Sequence, residues 1–500
     1  MTHKKIGTDI LPNVNTFTRK RTFVLLTGII FGTLMGALDN LVVSTAMPAI
    51  VSSLHQPNGL SFLIDAYVTS SAIGMAIFGK LSDHYNKKTI LLSTLVIFIL
   101  GSIFAGMSQN MSELILLRVV QGFGSGGFLP VGLAVIAAIL PPKTRAKITG
   151  AVTSFIGIAI VAGPEMGAYI VSATTWRWVF YVNVPFGIAS FLVILFVMIP
   201  LKTRLNGKFD ILGSLLLSSW VSLLLFPLVE MAYSDWKITN PLTLSLFVIA
   251  ISIFSLFLYV EIRIAKEPLI PFRMFKNRTV SAVSFLSFLR GGVLFSLSTF
   301  MAIFVTEVIV GSASTLRNLM YGFVVPMVAG SIFGGVLLSK LSYKTSSLIG
   351  TVCMTVGFIP LLSVSPITEH VFILHIFPAL AWLGLIPIGF GVGFTMVTTT
   401  LSAQYSVDTR DIGASTSIVQ FMGNIGGSLI LPSLSVLLYS VYRTNITSSL
   451  QGNVNSLGIN EIAMSYAIRE IYAILLLLSF ATIVLSFFVK GRLPKSSYNS

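Results

Sequence analysis

Five carboxylic acids stand inside otherwise apolar runs of this 500-residue chain: Asp39, Asp65, Glu165, Glu230 and Glu307. A charge in a hydrocarbon layer is strongly disfavoured unless it meets water or a partner, so each acid needs an explanation. Withdrawal from water favours the neutral acid, and a carboxyl so placed can take up and release protons near neutral pH. Asp39 is the best placed for that work, being well inside its run and next to Asn40. Asp65, in FLIDAY, reads either as a second such acid or as a helix-start acid at the edge of the layer. Glu230 and Glu307 lie toward the ends of their runs, where snorkelling to water accounts for them. Glu165 fits either a proton or cation site or a position facing water at its helix end.

Two cations are buried in the same sense. Arg118 must find a partner or a wet cavity, and it either works with an acid or ties two helices together through backbone carbonyls. Arg290, in FLSFLRGGVLF, either pairs with an acid across a helix interface or holds an anionic group. The chemistry expected is therefore proton and charge exchange, with no metal and no organic cofactor. No HExxH or GxSxG stretch offers a metal or nucleophile set, so no enzyme is expected. No GxxxxGK[ST] stretch offers direct nucleotide drive. The single cysteine, Cys353, excludes a disulfide framework or cysteine-based metal cluster within one chain.

The elements that position these groups follow from composition. Hydrophobic residues make up 54% of the chain and charged ones 10%, with a mean hydropathy of +0.90. A water-soluble chain carries about a quarter charged residues, so the bilayer is the expected solvent. The net charge of +15 does not indicate nucleic acid, because the cations sit in short clusters between apolar runs. Segments of about 18–25 residues, the length that crosses a bilayer, fall near 22–48, 61–81, 89–108, 112–139, 146–171, 178–200 and 209–231. They continue near 241–262, 279–306, 315–338, 346–365, 371–400, 412–440 and 469–489, which makes about fourteen. Residues 1–21 are polar and basic without a short apolar core and cleavage site, so the first run is expected to be retained.

Charge tests that count. The N-terminus, the even-numbered connections and the C-terminus hold 25 lysines and arginines, and the odd connections hold 5. One missed span would scramble this alternation, so both termini are expected in the cytoplasm of a cell-membrane protein. Segment 263–278 reads as an extended linker at headgroup level, and 441–468 as the one long polar loop.

In Ser154–Tyr169, Ala159, Gly163 and Gly167 recur every fourth residue, giving a nearly bare helix face that a neighbour can approach closely. Pro164 invites a kink there. The turns within 79–92, GKLSDHYNKKTILL, and 334–350, GGVLLSKLSYKTSSLIG, form a weak repeat that suggests two related halves.

These motifs carry a resemblance. Gly79-x-Leu-x-Asp83 followed by Lys87 and Lys88 resembles the cytoplasmic signature of the major facilitator superfamily. LILLRVVQGFGSGGFLPVG, with Arg118, Gln121 and Gly122, is similar to that family's second motif. Gly157, Gly163, Pro164 and Gly167 resemble the antiporter motif of its drug–proton exporters. LDNLVVSTAMPAI resembles the first-helix motif of the fourteen-spanner branch, and Asp65 matches an acidic position of its quaternary-ammonium exporters. The chain departs from the pattern at His84 (usually arginine), Asn86 (usually glycine), Glu165 and Ala168.

The resemblance covers nearly the whole chain and implies an all-α membrane fold of fourteen helices. A cytoplasmic tail (1–21) would lead into an N-terminal six-helix bundle (22–200) and two inserted helices (209–262). A cytoplasmic linker (263–278), a C-terminal six-helix bundle (279–490) and a tail (491–500) would follow. It implies a proton-driven exporter of small amphipathic, cationic compounds that works as a monomer among membrane lipids, with Arg118 in the proton relay. A transporter of the same fold for an anionic or lipid-like solute is the near alternative. A membrane enzyme or sensor is the distant one, and the short tails leave no room for a sensor's output domain.

Overall fold

The computed structural model describes residues 18–491, apart from 55–59, 201–208, 234–235, 310, 312, 339, 363–369, 409–410 and 452–458. Nearly everything described is helix: α1 (Arg19–Leu54), α2 (Leu60–His84), α3 (Lys87–Met107), α4 (Met111–Ile139) and α5 (Pro142–Ala173). Then come α6 (Trp178–Val197), α7 (Ile211–Tyr233), α8 (Pro241–Ile264), α9 (Arg278–Val308) and α10 (Ala313–Leu337). The last are α11 (Tyr343–Leu362), α12 (His370–Tyr405), α13 (Ile412–Gln451) and α14 (Ile459–Ser486). Among the described residues, twelve helices are long and apolar enough to cross a membrane, or thirteen with the bent α5.

Helix is the only open structure that satisfies every backbone group in hydrocarbon, and short polar side chains mark its starts. Asn86 Oδ1 accepts the Lys88 amide at 3.0 Å to cap α3, and Ser342 Oγ accepts that of Thr345 at 3.1 Å to cap α11. These two caps occupy matching places in the repeated turns. Asn110 caps α4 by accepting the Glu113 amide at 2.9 Å, while Glu113 Oε2 accepts the Gln109 amide at 2.9 Å. Buried hydroxyls largely turn back on their own helix, as Thr153 does to the Thr149 carbonyl at 2.9 Å.

Two groups of helices each bury cores of their own. Leu25, Ile29, Leu95, Phe98, Phe128 and Val131 centre one in the first half. Phe300, Phe304, Phe323, Met327, Phe358 and Tyr472 centre the other in the second half. The groups meet along α2 against α13 and α5 against α10. Helix α5 is bent by 44° between Ile160 and Ala162, where Pro164 leaves the Ile160 carbonyl without its amide. A methyl at Gly163 would lie 2.6 Å from Leu41 Cβ, and one at Gly167 would collide with Thr45, so the bare face of α5 receives α1. Gly157 instead faces Val328 of α10, in the other group.

Two sequence expectations change. Segment 263–278 is not extended: it holds a short helix at Phe272–Lys276. After a π-helical turn at Val260–Ile264, the Leu269 and Ile270 amides donate to the Glu261 carboxylate at 3.1 and 3.2 Å. Leu269, 2% exposed, then packs with Ala76 of α2, Leu217 and Val221 of α7, Phe257 of α8 and Phe421 of α13. Its two apolar side chains recover more by filling that crevice than by lying in an interface. Nor is 441–468 one long loop: α13 runs on to Gln451 and α14 begins at Ile459. Nothing in Tyr442–Gln451 breaks a helix, and its Ser, Thr and Asn residues need no membrane to remain helical.

Candidate functional site

The buried polar centre lies in the first half and draws on five helices. Asp39 of α1 and Arg118 of α4 are both 0% exposed, and the Arg118 guanidinium donates from Nη1 to Asp39 Oδ2. The other carboxylate oxygen accepts Nε2 of Gln121 at 2.8 Å and Nδ2 of Asn183, from α6, at 2.6 Å. Gln121 Oε1 accepts from Arg118 Nη1 at 2.9 Å, and its Nε2 also reaches Ser102 Oγ of α3 at 3.0 Å. Asn40 Oδ1 receives a longer contact from Arg118 Nη2 at 3.4 Å. Tyr67 of α2 lays its ring 3.9 Å from the guanidinium carbon and donates its hydroxyl to Ser125 Oγ at 2.7 Å. The Asp39 carboxyl thus meets three donors, one of them a guanidinium stacked on Tyr67, away from water.

Helical spacing builds this site. Arg118 and Gln121 are three residues apart and so share one face of α4, where Gly122 and Gly126 leave room for α2. A methyl at Gly101 would lie 2.8 Å from the Gln121 backbone, so α3 also closes on this point. The arrangement can exchange charge without moving the backbone: a proton or a cation arriving at Asp39 competes with Arg118 for one carboxylate. The sequence pointed to Asp39, Arg118 and Gln121. Asn183, Ser102 and Tyr67 it did not, although an asparagine opening the apolar run NVPFGIASFLVILFV was a visible signal.

The signature turn lies at one end of the helix groups, the end where α1 starts and α14 finishes. The Gly413 and Ala414 amides, at the start of α13, donate to the two Asp83 oxygens at 3.1 and 2.7 Å. Lys87 Nζ stands 3.7 Å from Asp83 and donates to the Ser82 carbonyl at 2.6 Å. Lys88 instead donates to the Leu195 carbonyl of α6 at 2.6 Å. Gly79 has no room for a side chain, because a methyl would collide with Ser417 of α13. His84, at the usual arginine position, sits with Lys80 near Glu267 of the linker, at 3.9 and 3.7 Å.

The remaining acids separate. Glu165 pairs with Arg317 of α10 rather than joining the buried centre. Asp65 faces the charge of Glu230 from α7, and its Oδ2 is buried without a hydrogen-bond partner. Glu230 does not snorkel: it is 7% exposed, because the inserted helix lies against α2 and turns this residue inward. Glu307 is exposed, as its end position predicts. Arg290 meets none of the acids, and no ion pair reaches it among the described residues. No group of three or more metal-ligating side chains occurs among the described residues.

A family model described as Major Facilitator Superfamily matches residues 29–431. Among curated proteins, Multidrug resistance protein 3 of Bacillus subtilis (strain 168) is 32% identical over 449 residues, covering 89% of this chain and 85% of that one. The Multidrug transporter protein MdtP of the same organism is 34% identical over 445 residues, covering 88% and 79%. Among solved structures, the human organic anion transporter MFSD10 (TETRAN) superposes with a TM-score of 0.61 at 11% identity, covering 94% of this chain and 100% of that one. A double-Trp mutant of XylE superposes at 0.62 and 13% identity, covering 95% and 98%. At such low identity these two structures speak for the fold alone.

Proposed function

The chain belongs to the Major Facilitator Superfamily, and from that premise we propose that this multi-pass membrane transporter exports amphipathic cations in exchange for protons. The observation that carries the reading is the fully buried Asp39, held by Arg118, Gln121 and Asn183. Both multidrug relatives in Bacillus subtilis support, by name, drugs as the compounds exported. In this reading the chain crosses the membrane fourteen times, as two six-helix bundles with α7 and α8 inserted between them. Both termini face the cytoplasm, and one chain suffices.

The chemistry follows from the competition at one carboxylate. A proton delivered to Asp39 cancels the charge that holds Arg118, so the guanidinium is released toward the aromatic faces of Tyr67 and Phe180. Loss of that proton restores a site for a cation, either Arg118 or the substrate. Because the two occupants exclude each other, proton entry and substrate exit are coupled. The Asp83 contacts with α13 keep the cytoplasmic end shut during one half of the cycle, and their release opens it.

Inverted membrane vesicles with an imposed pH gradient test this. Lipophilic cations added one at a time should collapse the gradient with the native protein and leave it intact with Asp39→Asn. Collapse that survives the substitution would remove Asp39 from the coupling path. A response to fatty acids and to no cation would overturn the substrate class.

A further inference from the structure

Two arginines lie deep in the helices, and only one has a carboxylate. Arg118 is neutralised by Asp39. Arg290 is 4% exposed, and no acid among the described residues forms an ion pair with it. It lies twelve residues after Arg278 at the start of α9. At the helical rise that is ~18 Å, about the middle of a ~30 Å hydrocarbon layer. A guanidinium cannot escape burial by losing its proton, so the positive charge stays. Left alone in such surroundings it costs several kcal/mol.

The surroundings hold unused hydrogen-bonding capacity. Arg290 Nε is buried without a hydrogen-bond partner. Ser287 and Ser284, three and six residues earlier on α9, are both 0% exposed, and neither hydroxyl has a partner. The three-residue spacing places Ser287 on the helix face next to Arg290. Most buried hydroxyls in this chain are spent on a carbonyl of their own helix, as those of Thr94, Thr153 and Thr351 are. Facing them on α13 is Gly423, where a methyl would stand 3.3 Å from Arg290 Nη2 and 3.5 Å from the Ser287 carbonyl. The glycine lets the α13 backbone pack close beside the guanidinium.

We infer that Arg290, with the hydroxyl of Ser287, is a binding site for a single negative charge in the second half of the molecule. The occupant is a small monovalent anionic group, either a free halide or the carboxylate of a solute. One fixed positive charge in a dry setting is balanced by one negative charge, and the idle Nε–H and hydroxyl supply the donors such a group accepts. The site is independent of the cation chemistry at Asp39, so binding can be read without transport.

The test uses the purified full-length chain in nanodiscs of zwitterionic lipid and a zwitterionic buffer. Labelled chloride is titrated in one arm and labelled benzoate in the other. The native protein should bind one of them saturably at about one site per chain, and Arg290→Gln should weaken that binding more than ~10-fold, the loss of a charged hydrogen bond. If Arg290→Gln does not fold, Arg290→Lys and Ser287→Ala carry the test, and each should weaken binding several-fold. Chloride binding alone identifies a resident ion, and benzoate binding alone identifies a substrate group. No saturable binding of either anion, or equal affinity in native and substituted proteins, overturns the proposal.

Discussion

Glu165 Oε1 of α5 stands 3.4 Å from Nη1 of Arg317 in α10, an ion pair joining the two helix groups. Both side chains are about half exposed, at 49% and 47%, so water screens the pair and its worth is ~0–1 kcal/mol. A pair of that strength can bias an opening equilibrium without carrying protons. Glu165→Gln should therefore keep substrate-driven collapse of a pH gradient and change its rate by no more than ~5-fold. Complete loss of coupling would make Glu165 a proton carrier instead.

How much of this was legible depends on how local each cause is. The apolar runs and the small face of α5 are set by near neighbours in sequence, and the structure realises them as helices and a close approach to α1. Asp39 and Arg118 were legible because a charge in an apolar run is conspicuous wherever it folds. Their partner Asn183 was not, since it lies 144 residues from Asp39 and only the docking of α6 brings it there. Glu230 looked free to snorkel by its position, but the packing of α7 on α2 turned it inward. Arg317 read only as one of a few cations in odd connections, and its pairing with Glu165 exists only once the helix groups meet.

The Asp39–Arg118 pair should behave as a unit. Arg118→Gln leaves a buried carboxylate without its cation, and Asp39→Asn leaves a buried guanidinium without its anion, each costing ~3–5 kcal/mol. The double substitution removes both charges, so it should be more stable than either single variant. Thermal unfolding of the four proteins in detergent or nanodiscs measures the cycle. Additive losses would mean that the two charges do not meet in the folded protein.

Asp83 holds the start of α13 by accepting two backbone amides there, a place where a negative charge is favoured by the helix dipole. Asn keeps an acceptor but loses the charge, so Asp83→Asn should loosen α2 from α13. Ala76 of α2 lies buried against Phe421 at this contact. In a Cys353→Ser background, Ala76→Cys should react slowly with a water-soluble maleimide, and several-fold faster once Asp83→Asn is added. Gly79→Ala, which drives a methyl into Ser417, should accelerate the reaction further. Unchanged labelling in both variants would show that this turn does not hold the end closed.

The linker gives the sharpest contrast between two pictures of the same residues. As an extended strap among headgroups, it would tolerate any change that kept it polar at its edges. As the structure has it, Leu269 is buried in one apolar cluster with residues of α2, α7, α8 and α13. Leu269→Ala should then lower stability by about 2–5 kcal/mol, the cost of a buried leucine plus its cavity. Glu267 is 33% exposed and bridges Lys80 and His84 at long distances, so Glu267→Gln should cost at most ~1 kcal/mol. Since Leu269 also covers Ala76, Leu269→Ala should speed maleimide labelling of Ala76→Cys even with Asp83 intact. Thermal unfolding and labelling together decide the matter: two unaffected readouts would return the linker to the surface, and two affected ones make it part of the seal between the bundles.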